Sequence, residues 1–238
     1  MIRDEVTIER VAETAPEGAS GGGERRRSRR APVVDVSHVS FDGVPSSTGQ
    51  KLQRRLGEAA DAFGNERFTE AERLLSSIER LAPGVAEVHE LQGLTQYRLG
   101  RWMKALGELE SFTQLTGSVE QHPVMADCCR ALGWWDRAEE LWLELGEVSP
   151  SPELVEEGRI VQAGSLADRG RVAEAIRLLE RAPKVPRRPG PHHLRRWYAL
   201  ADLYERAGDL ARARRVFGQI LEVDRQFGDV AERLAALG

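Results

Sequence analysis

Few residues of this chain are of types that do chemistry, and they are scattered. Cys128 and Cys129 are its only cysteines, and His122 lies shortly before them. Thiolates and imidazoles hold zinc tetrahedrally. Neighbouring helix positions, however, point about 100° apart, so the two sulfurs do not readily meet one ion. Buried thiols within a helix are the reading this spacing favours. A disulfide between adjacent cysteines is strained, so the pair also points to a reducing compartment. His89-Glu90 opens like the H-E-x-x-H motif of metalloproteases, but residue 93 is glycine. Neither G-x-x-x-x-G-K-[ST] nor G-x-S-x-G occurs. Gly21-Gly22-Gly23 connects no strand to a helix and so makes no phosphate cradle. No nucleophile is placed beside a base. The expectation is a protein that is not an enzyme, with no metal and no cofactor.

Charge offers a second kind of chemistry. Arginine outnumbers lysine 31 to 3. Arg25, Arg26, Arg27, Arg29 and Arg30 form one run. The Pro-rich stretch 182–193 and its flanks carry Arg181, Lys184, Arg187, Arg188, Arg195 and Arg196, with His192 and His193 and no acid between them. Arg25, Arg26, Arg27, Arg187, Arg188, Arg195 and Arg196 are therefore candidate phosphate contacts, each adding salt-dependent affinity. No aromatic residues interleave them for base stacking. The first fifty residues hold eight acids against seven arginines, so a solvated, charged linker is the reading favoured for that run. A net charge of −4 argues against coating nucleic acid or membrane by bulk charge. There is no apolar run of about 18 residues to span a bilayer, and MIRDEVTIER has no secretory apolar core. A cytoplasmic protein without membrane contact is expected.

The elements that must position these residues are legible from periodicity. Residues 1–50 read as a disordered N-terminal arm carrying the arginine run. Val33 to Phe41 alternates like a strand but has no second strand to pair with. From 51 onward the pattern is helical. Trp197, Leu200, Ala201 and Tyr204 fall on one helix face, Gly208 permits a turn, and Leu210, Ala213, Phe217 and Ile220 form the face of a second helix. A small residue opens each second helix, where two backbones approach closely. Ala71, Ala105, Ala138, Ala175 and Ala213 serve, spaced by 34, 33, 37 and 38 residues. They index five repeats, about 52–83, 86–117, 119–150, 156–187 and 194–225. Phe227 to Leu237 adds an amphipathic helix without a successor, read as a cap within 226–238.

W-x2-L-[GA]-x2-Y … G … A-x3-F over Trp197–Phe217, repeated in weaker form upstream, resembles the tetratricopeptide repeat (TPR). The segments HPVMADCCRALG, EGRIVQAGSLADRG and WYALADLYERAGD are further similar to uncharacterised stand-alone TPR proteins of actinobacteria. The resemblance implies an all-α, right-handed superhelical solenoid of about five helix-turn-helix repeats with a C-terminal capping helix. It also implies a concave groove lined by first helices, in which a peptide or partner helix is held. One TPR subclass grips a C-terminal carboxylate with lysine and asparagine at the fifth and ninth positions of a repeat. Here those positions read Leu56/Ala60, Glu90/Leu94, Pro123/Asp127, Ile160/Gly164 and Tyr198/Asp202, so that role is disfavoured.

The register nominates Glu87, Glu90, Tyr97, Arg98, Glu120, Asp127, Arg130, Glu157, Tyr198, Asp202, Glu205 and Arg206 as groove-lining. Acids outnumber bases there, which suits a basic peptide with aromatic or aliphatic side chains. Ordinary solvated helix faces would look the same. Most tryptophans occupy packing slots, whereas Trp134 occupies a slot that is usually polar. It is either an exposed interface anchor or packs across the Gly133 turn. The function expected is a noncatalytic scaffold for a protein or peptide partner. The alternative is an RNA- or ribosome-associated protein using the arginine arm and the 181–196 insertion.

Overall fold

The computed structural model describes residues 36–41, 43–149 and 151–238. Among these, eleven α-helices and no strands occur: α1 Ser46–Gly64, α2 Phe68–Glu79, α3 Ala86–Arg98, α4 Trp102–Thr116, α5 His122–Ala131, α6 Trp135–Val148, α7 Pro152–Asp168, α8 Val172–Glu180, α9 Pro191–Arg206, α10 Leu210–Val223 and α11 Val230–Ala236. The chain divides into two compact units, one ending at Trp134 and the other running from Trp135 to Gly238.

Antiparallel helix pairs build both units. The turn inside each pair needs a left-handed residue two positions before the second helix. Gly100, Gly170 and Gly208 supply it, with φ between 72° and 76°. In the first pair the same place is held by Glu66, at φ 59°. At the crossing of α3 and α4, a Cβ on Gly93 would stand 2.5 Å from Leu109 Cδ2, so any side chain there would have to displace Leu109. Ser151 caps α7 by accepting from the Leu154 amide at 3.2 Å. Asp209 caps α10 by accepting from the Arg212 amide at 3.0 Å.

In the first unit, α2 packs on α1 and α3, α4 packs on α3 and α5, and α3 touches both α1 and α5. The first helices thus form one layer and the second helices another. Leu56, Phe63, Leu75, Ile78, Leu91 and Leu109 are buried between them. Each such side chain contributes about 1.5–3 kcal/mol by leaving water. In the second unit, Ala163, Ala175, Leu179, Ala201, Phe217, Ile220 and Val230 belong to one core cluster.

Two boundaries differ from expectation. The arm does not extend to residue 50. Val36, Val39 and Phe41 are buried, and α1 begins at Ser46. Apolar alternation that lacks a partner strand is here satisfied by packing on helices. The last helix is shorter than its apolar pattern suggested, because Phe227 and Gly228 precede α11 rather than joining it.

Candidate functional site

In the first unit the nominated residues lie on α3 and α5, with Glu120 in the turn just before α5. Seven consecutive residues of α3, Leu91–Tyr97, and all of His122–Cys129 are buried. Polar groups in these stretches therefore bond to one another. The Tyr97 hydroxyl donates to Asp127 at 2.6 Å, and Arg130 Nε donates to the other Asp127 oxygen at 2.8 Å. Gln121 donates to Glu90 at 2.9 Å. Arg98 sits 4.6 Å above the Phe68 ring and 3.6 Å from Glu66. The expectation that all of these face an open groove is corrected for Glu90, Tyr97 and Asp127, which are buried. They tie one repeat to the next. Glu120 is exposed, while Glu87 and Arg130 are half-buried.

A segment with a hydrogen-bonded turn at Ser37–His38 rests on this layer. Gln53 of α1 donates its amide to the Val36 carbonyl at 2.8 Å. His38 Nε2 lies 3.6 Å from Glu87 of α3. The Phe41 backbone meets the Gly49 position in the first turn of α1. Residues 36–41 thus contact two successive first helices.

In the second unit most of the nominated residues are partnered within the fold. Arg195 pairs with Glu157, and Arg196 donates to Glu156 at 3.0 Å and to the Pro183 carbonyl at 3.0 Å. Arg196 is only 5% exposed. Arg195 and Arg196 are therefore not available as phosphate contacts, because each is occupied by an acid of α7. Arg187 and Arg188 are exposed, and Arg25, Arg26 and Arg27 lie outside the described residues. Glu157 is buried beneath its arginine.

Tyr198, Asp202 and Glu205 of α9 converge on Arg233 of α11. Arg233 donates to the Tyr198 hydroxyl at 3.0 Å, to Asp202 at 2.9 Å and to Glu205. Tyr198 in turn donates to Asp229 at 2.8 Å. Burial pushes the Tyr198 phenol up to about 12, with the Arg233 hydrogen bond opposing. Burial disfavours the charge on Arg233, but bonds to Tyr198 and Asp202 raise its pKa overall. Tyr198 is buried, which corrects its expected outward direction, and Asp202 and Glu205 face the capping helix. Arg206 is exposed and pairs with Asp202 at 2.8 Å. Sequence periodicity missed Arg233 because it lies in the cap, outside the repeat register.

Trp134 keeps 42% of its surface exposed, while its amide donates to the Cys129 carbonyl. Cys128 and Cys129 are buried thiols, not joined in a disulfide. No helix among the described residues is long and apolar enough to cross a membrane.

Two stretches, residues 56–114 and 166–237, each match a family model described as tetratricopeptide repeat. No curated protein gives a significant sequence match. Among solved structures, the chain is similar to a thermophilic TPR protein of Thermus thermophilus, with TM-score 0.62, 19% identity, and coverage of 78% of this chain and 98% of that one. It is also similar to a chain of the APC/C hetero-tetramer Cut9-Hcn1, with TM-score 0.60 and 14% identity, over 78% of this chain and 36% of that one. A third likeness is the apo form of the quorum sensor NprR from B. thuringiensis, with TM-score 0.66 and 13% identity, over 79% of this chain and 58% of that one. Identities this low carry the fold.

Proposed function

Because the chain belongs to the tetratricopeptide-repeat superfamily, we propose that it is a noncatalytic scaffold holding a peptide or helix of a protein partner on the layer of α1, α3 and α5. The observation that carries this reading is the seat of residues 36–41. Buried Val36, Val39 and Phe41, a main-chain carbonyl read by Gln53 and an imidazole beside Glu87 are the contacts a bound peptide would make. Side-chain amides that read backbone carbonyls give affinity without dictating sequence, while the apolar side chains and Glu87 set preference. The partner segment is accordingly short and apolar, with a basic group opposite Glu87. One structural likeness is itself a chain of a protein hetero-tetramer.

The test uses the chain lacking residues 1–44 and a labelled synthetic peptide of residues 34–43. Fluorescence anisotropy should show saturable binding that Gln53→Ala or Glu87→Lys weakens at least severalfold. A folded truncated chain that binds neither this peptide nor basic-apolar variants of it would sink the reading. Retention of RNA in a salt-sensitive manner by the full chain would favour phosphate contact instead.

A further inference from the structure

The polar core between α2, α3 and α4 belongs to none of the surfaces above. In the repeat pattern, the slots held by Trp197, Leu200, Ala201 and Tyr204 are held in α3 by His89, Gln92, Gly93 and Gln96. Three apolar slots are thus polar. His89 Nδ1 lies 2.8 Å from Glu108 Oε2. The Gln92 amide donates to Glu79 at 3.1 Å and to Glu108 at 3.0 Å. One ligand atom each from Glu79, His89 and Glu108 lies within 4.8 Å of the others. Among the described residues no lysine or arginine forms an ion pair with Glu79 or Glu108. Gln92 is 6% exposed, and its Oε1 is buried without a hydrogen-bond partner.

We propose that Glu79, His89 and Glu108 form a binding site for a divalent transition-metal cation of the zinc class, with the Gln92 amide oxygen as a further ligand. The two carboxylates converge on the Gln92 amide and on His89 with no lysine or arginine between them, a place a bound cation would take. An imidazole among them selects zinc, cobalt or nickel over magnesium and calcium, which prefer oxygen alone. Metal–ligand bonds of about 2.0–2.2 Å place tetrahedral donors roughly 3–3.5 Å apart. Side-chain rotation closes the set to that size. A half-turn of the Gln92 amide gives up its two hydrogen bonds to Glu79 and Glu108 and brings the orphaned oxygen between the carboxylates, an exchange that a bound cation would compensate. The ion would join three helices from two successive repeats.

Titrating the metal-stripped full chain with Co(II), followed by visible absorption, and with Zn(II), followed by calorimetry, decides the matter. One equivalent should bind, and His89→Ala or Glu108→Gln should weaken it at least about tenfold. The double substitution His192→Ala with His193→Ala should leave binding unchanged. Gln92→Leu restores the apolar slot. It should fold and should lower the Zn(II)-induced rise in melting temperature. Absence of binding overturns the proposal. So does binding indifferent to His89 and Glu108, or an equal thermal shift in wild type and Gln92→Leu.

Discussion

The Tyr97 hydroxyl donates to Asp127 across 30 residues of sequence, joining the first helices of adjacent repeats at 2.6 Å. Both groups are buried, so the bond is not exchanged for one to water. Tyr97→Phe leaves the ring packed against Trp102, 5.5 Å away, and removes this donor. The first unit should lose about 1–3 kcal/mol. The urea midpoint should fall with an unchanged slope. No change would mean that Arg130 alone satisfies the carboxylate.

Glu66 adopts φ 59°, where the other helix pairs have glycine. A side chain there costs roughly 1–2 kcal/mol, and glycine returns part of that as unfolded-state entropy. The Arg98 pair it would lose is 3.6 Å long and exposed on the Glu66 side, which contributes little. Glu66→Gly should therefore stabilise the first unit by about 0.5 kcal/mol or more. Chemical denaturation measures it, and a lower midpoint would show that the ion pair outweighs the strain.

Repeat period was legible because close backbone approach restricts residue type at a few positions, as Gly93 against Leu109 illustrates. The direction of polar side chains was not. The first helix α3 contacts α1, α2, α4 and α5, α9 contacts α7, α8 and α10, and α5 contacts α3 and α4, so little of their circumference is left open. Glu90, Asp127 and Tyr198 fell on a nominally open face for that reason. Pairing one repeat apart was the missed signal. Arg195 meets Glu157 at a separation of 38, and Arg196 meets Glu156 at 40. The metal-ligating set was hidden differently, since Glu79, His89 and Glu108 come from three helices and show no motif spacing.

The amide of Gly190, before α9, donates to His193 Nδ1 at 3.1 Å, which requires that nitrogen unprotonated. Burial and Arg196 hold His193 below 6.5, and burial and His193 do the same for His192. A lowered folded pKa means stability that is complete above the unfolded value and lost as pH falls through the folded one. The second unit should therefore melt progressively lower from about pH 6.5 downward. His193→Asn should flatten this acid slope. Equal slopes in both proteins would assign the acid sensitivity to carboxylates.

Arg233 is the one residue of the short α11 that holds three groups of α9. It lies 5.2 Å over the Tyr198 ring and 4.9 Å over Phe217. Removing it leaves Asp202 and Glu205 adjacent without their shared cation and takes a stacked guanidinium off two rings. Arg233→Ala should thus detach α11 locally before the second unit unfolds. Amide exchange in 227–237 should accelerate at least tenfold, equivalent to about 1.4 kcal/mol. Arg233→Lys keeps the charge but not the planar fork, and should restore only part of the protection. If Lys restored it fully, simple charge compensation would be the cause. If Ala changed nothing, Val230 packing alone would hold the cap. Exposure of α9 in the Ala variant would also give its acids to a basic ligand, so tighter binding of an arginine-rich peptide should accompany the faster exchange.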